Sequence, residues 1–152
     1  MTRLKQSRED FNLTDTGPLV ALLDKDDPNY SAVQEAQKLL PALPLLTTWP
    51  CFTEAMYLLG RDFGQSVQDS LWQWVDDEIL VLHDLTFAER ARMRTLMAKY
   101  ADTPMDLADA SLIVVAETRG LPRIFTVDSD FYVYRLADGR ALEAMPGPHR
   151  TA

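Results

Sequence analysis

The segment from Thr103 to Ala116 sets the narrowest limit on how this chain can fold. Asp106 and Asp109 stand three residues apart, and behind them Ser111 to Ala116 form an unbroken run of small and apolar residues. With Thr103 as N-cap, Pro104 at the first helical position and Gly120 as the C-terminal signal, the segment predicts a helix with no solvent face. A helix that is apolar all round is buried. One whose head carries two acids must deliver them to a place where something compensates their charge. Asp106 and Asp109 therefore read as half of a cation-binding carboxylate cluster, and the other half has to come from elsewhere in the chain.

The rest of the sequence alternates short apolar runs with helical patterns. Phe11 to Asp15 reads as a buried strand leading into Thr16, Gly17 and Pro18, with a short helix at Leu19 to Leu23 and a loop at Asp24 to Pro28. A helix from Asn29 or Ser31, with Val33, Ala36, Leu39 and Leu40 on one face, runs until Pro41 stops it. Leu45 to Thr48 is a second strand. A helix then opens at Thr48 or Trp49, with Pro50 near its first position, Phe52, Ala55, Met56 and Leu59 as core face, and Gly60 as stop. The next spans about Gly64 to Asp77, Ile79 to Leu82 is a third strand, and Thr86 with Glu89 heads a helix to about Tyr100. After the acid-headed helix, Arg123 to Val127 is a fourth strand ending on Asp128. Phe131 to Arg135 fits a helical turn or an extended piece, and Ala141 to Met145 fits an edge strand.

Strands alternating with helices predict an α/β fold with a mainly parallel sheet covered on both faces. In such a sheet the crossover helices begin at the carboxyl edge of the strands, where open α/β sheets place their ligands. Asp15 ends the first strand and Asp128 the fourth. Glu54 falls shortly after the second strand, and Asp106 and Asp109 lie in the first two turns of the helix that leads into the fourth. All five converge on one edge. Each has a plainer reading beside this one: Asp106 as a helix cap paired with Thr103, Asp109 as a solvated aspartate, Asp15 and Asp128 as turn residues, and Glu54 as a helical acid. Asp130 competes with Asp128 for the same task and ranks below it.

Crowded carboxylates raise one another's pKa and cannot all stay ionised without cations. The single Cys51, with only His83 and His149 beside it, excludes a disulfide framework and a Cys/His zinc site, so any metal is held by oxygen. Hard oxygen ligands select Mg²⁺ or Mn²⁺, ions that suit phosphoryl transfer by activating water and stabilising the entering and leaving oxygens. A net charge of −8 argues against a protein that holds nucleic acid by a general basic surface, although two divalent ions, adding four positive charges, would bring the formal total to −4 and can reverse the sign of the field at the site. The 152 residues, 47% hydrophobic, suit a single domain that buries roughly two-thirds of its unfolded surface. Arg3, Lys5 and Arg8 among polar residues, and the lack of any long apolar run, predict a cytoplasmic protein without a membrane span. Asp15-Thr16-Gly17 matches the aspartic-protease signature, but those enzymes are all-β; Asp128-Ser129-Asp130 matches a DxD pattern that many loops satisfy. Trp49, Trp72 and Trp74 suit stacking platforms for single strands, but two of them, at helical spacing, read first as core or interface.

From Phe11 to Arg135 the chain resembles a PIN domain of the kind found as VapC-type toxins in toxin–antitoxin pairs. The resemblance rests on Asp15 in Asp15 to Leu22, Glu54 in Thr53-Glu54-Ala55, Asp106 and Asp109 in Met105 to Ala110, and Thr126-Val127-Asp128 with Phe131. It implies a PIN-like three-layer α/β/α domain over residues 11–146 with a central sheet of four to five strands. Residues 1–10 would be an N-terminal extension and 147–152 a tail. It further implies a Mg²⁺- or Mn²⁺-dependent endoribonuclease that hydrolyses RNA, acts as a homodimer, and is inhibited by a small antitoxin. Asp15, Glu54 and Asp109 would be core ligands and catalytic acids, with Asp128 as a fourth, Asp106 an additional acid, and Thr126 a hydroxyl that orients the site. Arg61, Arg90, Arg94 and Arg119 are the candidate RNA contacts. The competing expectations are a PIN-like protein-binding module without catalysis and a metal-dependent phosphatase of small phosphate esters.

Overall fold

The computed structural model describes residues 10–146; most of the expected N-terminal extension, residues 1–9, and the tail, 147–152, lie outside the described residues. Five strands form one sheet: β1 (Asn12–Thr14), β2 (Leu45–Thr48), β3 (Leu80–His83), β4 (Arg123–Thr126) and β5 (Glu143–Pro146). Their spatial order is β3-β2-β1-β4-β5, and every pairing is parallel. The helices are α1 (Thr16–Leu23), α2 (Tyr30–Leu39), α3 (Trp49–Phe63), α4 (Gln65–Asp76), α5 (Phe87–Lys99) and α6 (Leu107–Arg119), with a 3-10 turn at Ser129–Tyr132.

The period of two along the strands sorts the core into two layers. Leu13, Leu46 and Ile124 point to one face, where they meet Met93 and Leu96 of α5 and Leu112 to Ala116 of α6. Leu45, Leu80 and Phe125 point to the other, against Leu19 and Ala21 of α1, Val33 and Ala36 of α2, Phe52, Ala55 and Leu59 of α3, and Leu71 of α4. β1 sits centrally, flanked by β2 and β4, which explains why its three residues are all buried. Helix α6 packs against α5, α3, β1 and β2, and every residue from Ala108 to Ala116 is buried. Its one uncharged polar residue in that run is satisfied: Ser111 Oγ donates to the Ala108 carbonyl at 2.6 Å and lies 2.6 Å from Thr48 Oγ1.

Three local readings change. Helix α6 begins at Leu107 with Asp106 as its N-cap, so Thr103 and Pro104 belong to the preceding turn. Helix α3 continues through Gly60 to Phe63, and it is Gly64, at φ 80°, that ends it. Gly60 serves packing instead: the Gln68 side chain of α4 occupies the space where a Cβ would stand, and donates to the Met56 carbonyl at 3.0 Å. Leu39, expected on the core face of α2, is 76% exposed because only Val33 and Ala36 of that helix reach the interior. No helix among the described residues is long and apolar enough to cross a membrane.

Candidate active site

At the carboxyl edge of the sheet, a cleft of about 290 Å³ is lined by Asp15, Glu54, Asp106, Asp109 and Asp128 together. They arrive from four places in the fold. Asp15 follows β1 and caps α1: its Oδ1 accepts from the Thr16 amide at 2.7 Å, and its Oδ2 accepts from Thr126 Oγ1 at 2.8 Å. Thr126, the last residue of β4, is fully buried, and the same hydroxyl accepts from the Asp128 amide at 3.0 Å. One hydroxyl thus ties the acid after β1 to the acid after β4. Glu54 lies in the second turn of α3, with Oε2 3.2 Å from Thr16 Oγ1. Gly17 lets the start of α1 approach this edge, since a Cβ there would stand 2.7 Å from Val127 Cγ2.

The two acids of α6 are bonded to each other. Asp106 Oδ1 accepts from the Asp109 amide at 2.8 Å, and Asp109 Oδ2 accepts from the Asp106 amide at 3.3 Å, a reciprocal capping box. The cap reading of Asp106 is therefore realised, though its partner is Asp109 and not Thr103. Asp109, for which the sequence suggested no local role, has one as the third residue of that box. Asp109 is buried, and Tyr134 Oη donates to its Oδ2 at 3.2 Å. Carboxylate oxygens of Asp109, Asp128 and Asp130 lie within 4.8 Å of one another. Asp130 thus stands closer to Asp109 and Asp128 than its sequence ranking implied, held by its amide bond to Asp128 Oδ1 at 2.9 Å.

Burial governs the electrostatics. Burial pushes Asp15 up to about 6, and the charges of Asp128 and Glu54 add to the rise; the bonds from Thr126 and Thr16 oppose it. Asp109 is pushed up to about 8 by burial first, then by Asp106, Asp15 and Asp128. Asp130 is raised by burial and by the charges of Asp128 and Asp106. No Lys, Arg or His lines the cleft among the described residues, so no side-chain cation offsets these acids. Two charged or neutral oxygens per acid, no nitrogen or sulfur donor, and mutual repulsion fit a hard divalent ion held by oxygen. Cys51 offers no alternative chemistry. Burial and the charge of Asp15 push its thiol up to about 12, so it is a packing residue.

Four further residues belong to the surroundings of the cleft. Thr16 sits where its hydroxyl reaches both the Cys51 carbonyl and Glu54, each at 3.2 Å, and Asp27 and Asn29 close one side. Tyr134 is the fourth. An acid-Thr pair at a strand end signals Thr16, whereas Tyr134 lies in a stretch without periodicity. The candidate arginines do not line the cleft: Arg61 pairs with Asp62, Arg90 lies over Phe87, and Arg119 donates to His83 Nδ1 at 3.0 Å. Of the three tryptophans, Trp49 is half-exposed with its indole N–H on Asp84, Trp72 is half-exposed against Phe52, and Trp74 packs on the core.

The class of protein is set by a parallel α/β sheet with a carboxylate-rich cleft at its carboxyl edge. This chain belongs to the PIN domain family, whose model matches residues 13–136. Its fold is similar to that of Mycobacterium tuberculosis VapC20, a sarcin-ricin loop cleaving toxin, with a TM-score of 0.73 at 16% identity over 80% of this chain and 92% of that one. It is also similar to a chain in the structure of VapBC2 from Rickettsia felis bound to a DNA fragment from their promoter, with a TM-score of 0.64 at 13% identity over 89% of this chain and 98% of that one. No curated protein matches the chain in sequence.

Proposed function

We propose that this protein is a Mg²⁺- or Mn²⁺-dependent endoribonuclease of the VapC toxin kind. The observation that carries the reading is the convergence of five carboxylates on one cleft with no cation among its lining residues. Asp15, Glu54 and Asp109 would hold the ion, with Asp128 as a fourth ligand. Asp106 has given Oδ1 to the helix cap, which leaves Oδ2 as the atom for a ligand role. A divalent ion held there supplies Lewis-acid polarisation of the phosphodiester and a more acidic water. Thr126 keeps Asp15 Oδ2 in place through its hydroxyl, and Thr16 steadies Glu54. In the net reaction water adds to phosphorus, the P–O3′ bond breaks, and the departing O3′ takes a proton, leaving a 5′-phosphate on one product.

The family and the VapC-like fold support a small antitoxin as partner and a homodimer in the cytoplasm as the working form. Exposed apolar side chains near and beyond the cleft, Trp49, Tyr57, Phe63 and Leu107, suit such contacts. Cleavage of RNA with Mn²⁺ or Mg²⁺, abolished by EDTA and by Asp15→Asn, is the expected result. Equal cutting by Asp15→Asn would overturn the assignment. Calorimetry that finds no divalent binding at millimolar metal would favour a protein-binding module, and turnover of nitrophenyl phosphate without RNA cleavage a phosphatase.

A further inference from the structure

We propose that Tyr134 is a positioning residue that fixes the carboxylate of Asp109 so that Oδ1, and not Oδ2, is the atom presented to the ion. The proposal rests on the reading of Asp109 as a metal ligand. Its ground is the division of labour between the two oxygens. Oδ2 accepts twice, from Tyr134 Oη at 3.2 Å and from the Asp106 amide at 3.3 Å. A carboxylate whose one oxygen is held by two donors has its plane set and its other oxygen free to bind.

Tyr134 is built for this task by its surroundings. It is 1% exposed, and its ring is clamped edge-on by Tyr100, centroids 5.1 Å apart, and by Phe131, at 5.4 Å. Tyr100 is itself anchored, because its Oη accepts from the Arg135 amide at 2.9 Å. The Tyr134 amide donates to the Asp130 carbonyl at 3.2 Å, so the residue that holds Asp109 grows out of the turn that carries Asp128 and Asp130. The phenol therefore couples the α6 acid to the acids after β4 through a rigid ring, where a long aliphatic donor such as Lys would leave the distance unset. Packing alone needs no hydroxyl: the same clamp would hold a phenylalanine.

That difference is the test. Mn²⁺ binding to the full-length protein is measured by calorimetry for the parent, Tyr134→Phe, Tyr132→Phe and Asp109→Asn, with metal-free Tm recorded alongside. Tyr134→Phe is expected to weaken Mn²⁺ binding about 10- to 100-fold, the range for loss of a hydrogen bond to a metal ligand. Its metal-free Tm should stay within a few degrees of the parent, and Tyr132→Phe, which removes an exposed hydroxyl from the same turn, should bind Mn²⁺ as the parent does. Parent-like affinity in Tyr134→Phe while Asp109→Asn loses binding would overturn the positioning role and leave the site reading intact. Parent-like affinity in Asp109→Asn would overturn the site reading, and this inference with it.

Discussion

Replacing Asp109 by Asn should stabilise the metal-free protein, although it removes a residue proposed to be essential. Asn can place its side-chain oxygen where Oδ2 now stands, keeping the bonds from Tyr134 and the Asp106 amide. Its NH₂ then faces acids without the proton that a carboxyl there has to take up. The magnitude follows from the shift of Asp109 from an ordinary 3.8 to about 8. A carboxyl whose folded pKa lies above its unfolded value holds protons more tightly when folded. Its contribution is complete below pH 3.8 and is lost as pH rises toward 8. At about 1.36 kcal/mol per unit, the climb from 3.8 to pH 7 costs roughly 4 kcal/mol. About half of that should remain as a gain in the variant, because a buried amide must itself be satisfied, so ~2 kcal/mol is expected. For a chain of this size that is a rise in Tm of about 4–8 °C in EDTA at pH 7. The two stabilities should cross near pH 5, where the climb from 3.8 costs about as much as the buried amide, and Mn²⁺ should reverse their order at pH 7, since only the parent gains binding energy from it. Thermal melts across pH, with EDTA and with Mn²⁺, decide the matter. A variant less stable than the parent in EDTA at pH 7, or a difference that does not change with pH, would refute the reasoning.

Two other perturbations probe the frame around the cleft. Gly17→Ala drives a Cβ to 2.7 Å from Val127 Cγ2, next to Asp128. An overpacking cost of about 1–3 kcal/mol should lower Tm by about 2–12 °C and weaken Mn²⁺ binding. Adding Val127→Ala should restore both, and a double variant no better than the single would sink the close-approach argument. Glu89 works in the opposite pH direction from Asp15 and Asp109. Burial alone would raise it, but bonds from the Thr86 amide, His83 Nε2 and Thr118 Oγ1 hold it at about 2. Its stabilisation is present above 4.5 and lost as pH falls toward 2. Glu89→Gln should therefore cost about 2–3 kcal/mol at pH 7 and flatten the acid limb of the stability profile.

What the sequence reveals of this site and what it hides have separate physical causes. The convergence of Asp15, Glu54, Asp109 and Asp128 was legible because it depends only on element order and on the parallel sheet that order requires. Errors of one or two residues, such as β3 at Leu80–His83 against an expected Ile79 to Leu82, do not move an acid to the other edge. The start of α6 was not legible, since Thr103-Pro104-Met105-Asp106 and Asp106-Leu107-Ala108-Asp109 both satisfy a capping pattern. Tertiary packing chooses between them. Met105 is buried against the α5 and α6 layer, so the chain must turn there, and the box closes one turn later on the two acids. Gly60 misleads for a like reason: a glycine that ends a helix and one that admits Gln68 of a neighbouring helix look the same in one dimension. Tyr134 was invisible because its role is set by a single contact 25 residues away, in a segment with neither period. The capping box changes how Asp109 itself is understood. Helix geometry and the phenol together use Oδ2, so the carboxylate that sits most uncomfortably in the metal-free cleft is also the one whose orientation is most fully determined. A site that must bind an ion of fixed geometry needs that combination: charge left uncompensated by the protein, on an atom the protein does not allow to move.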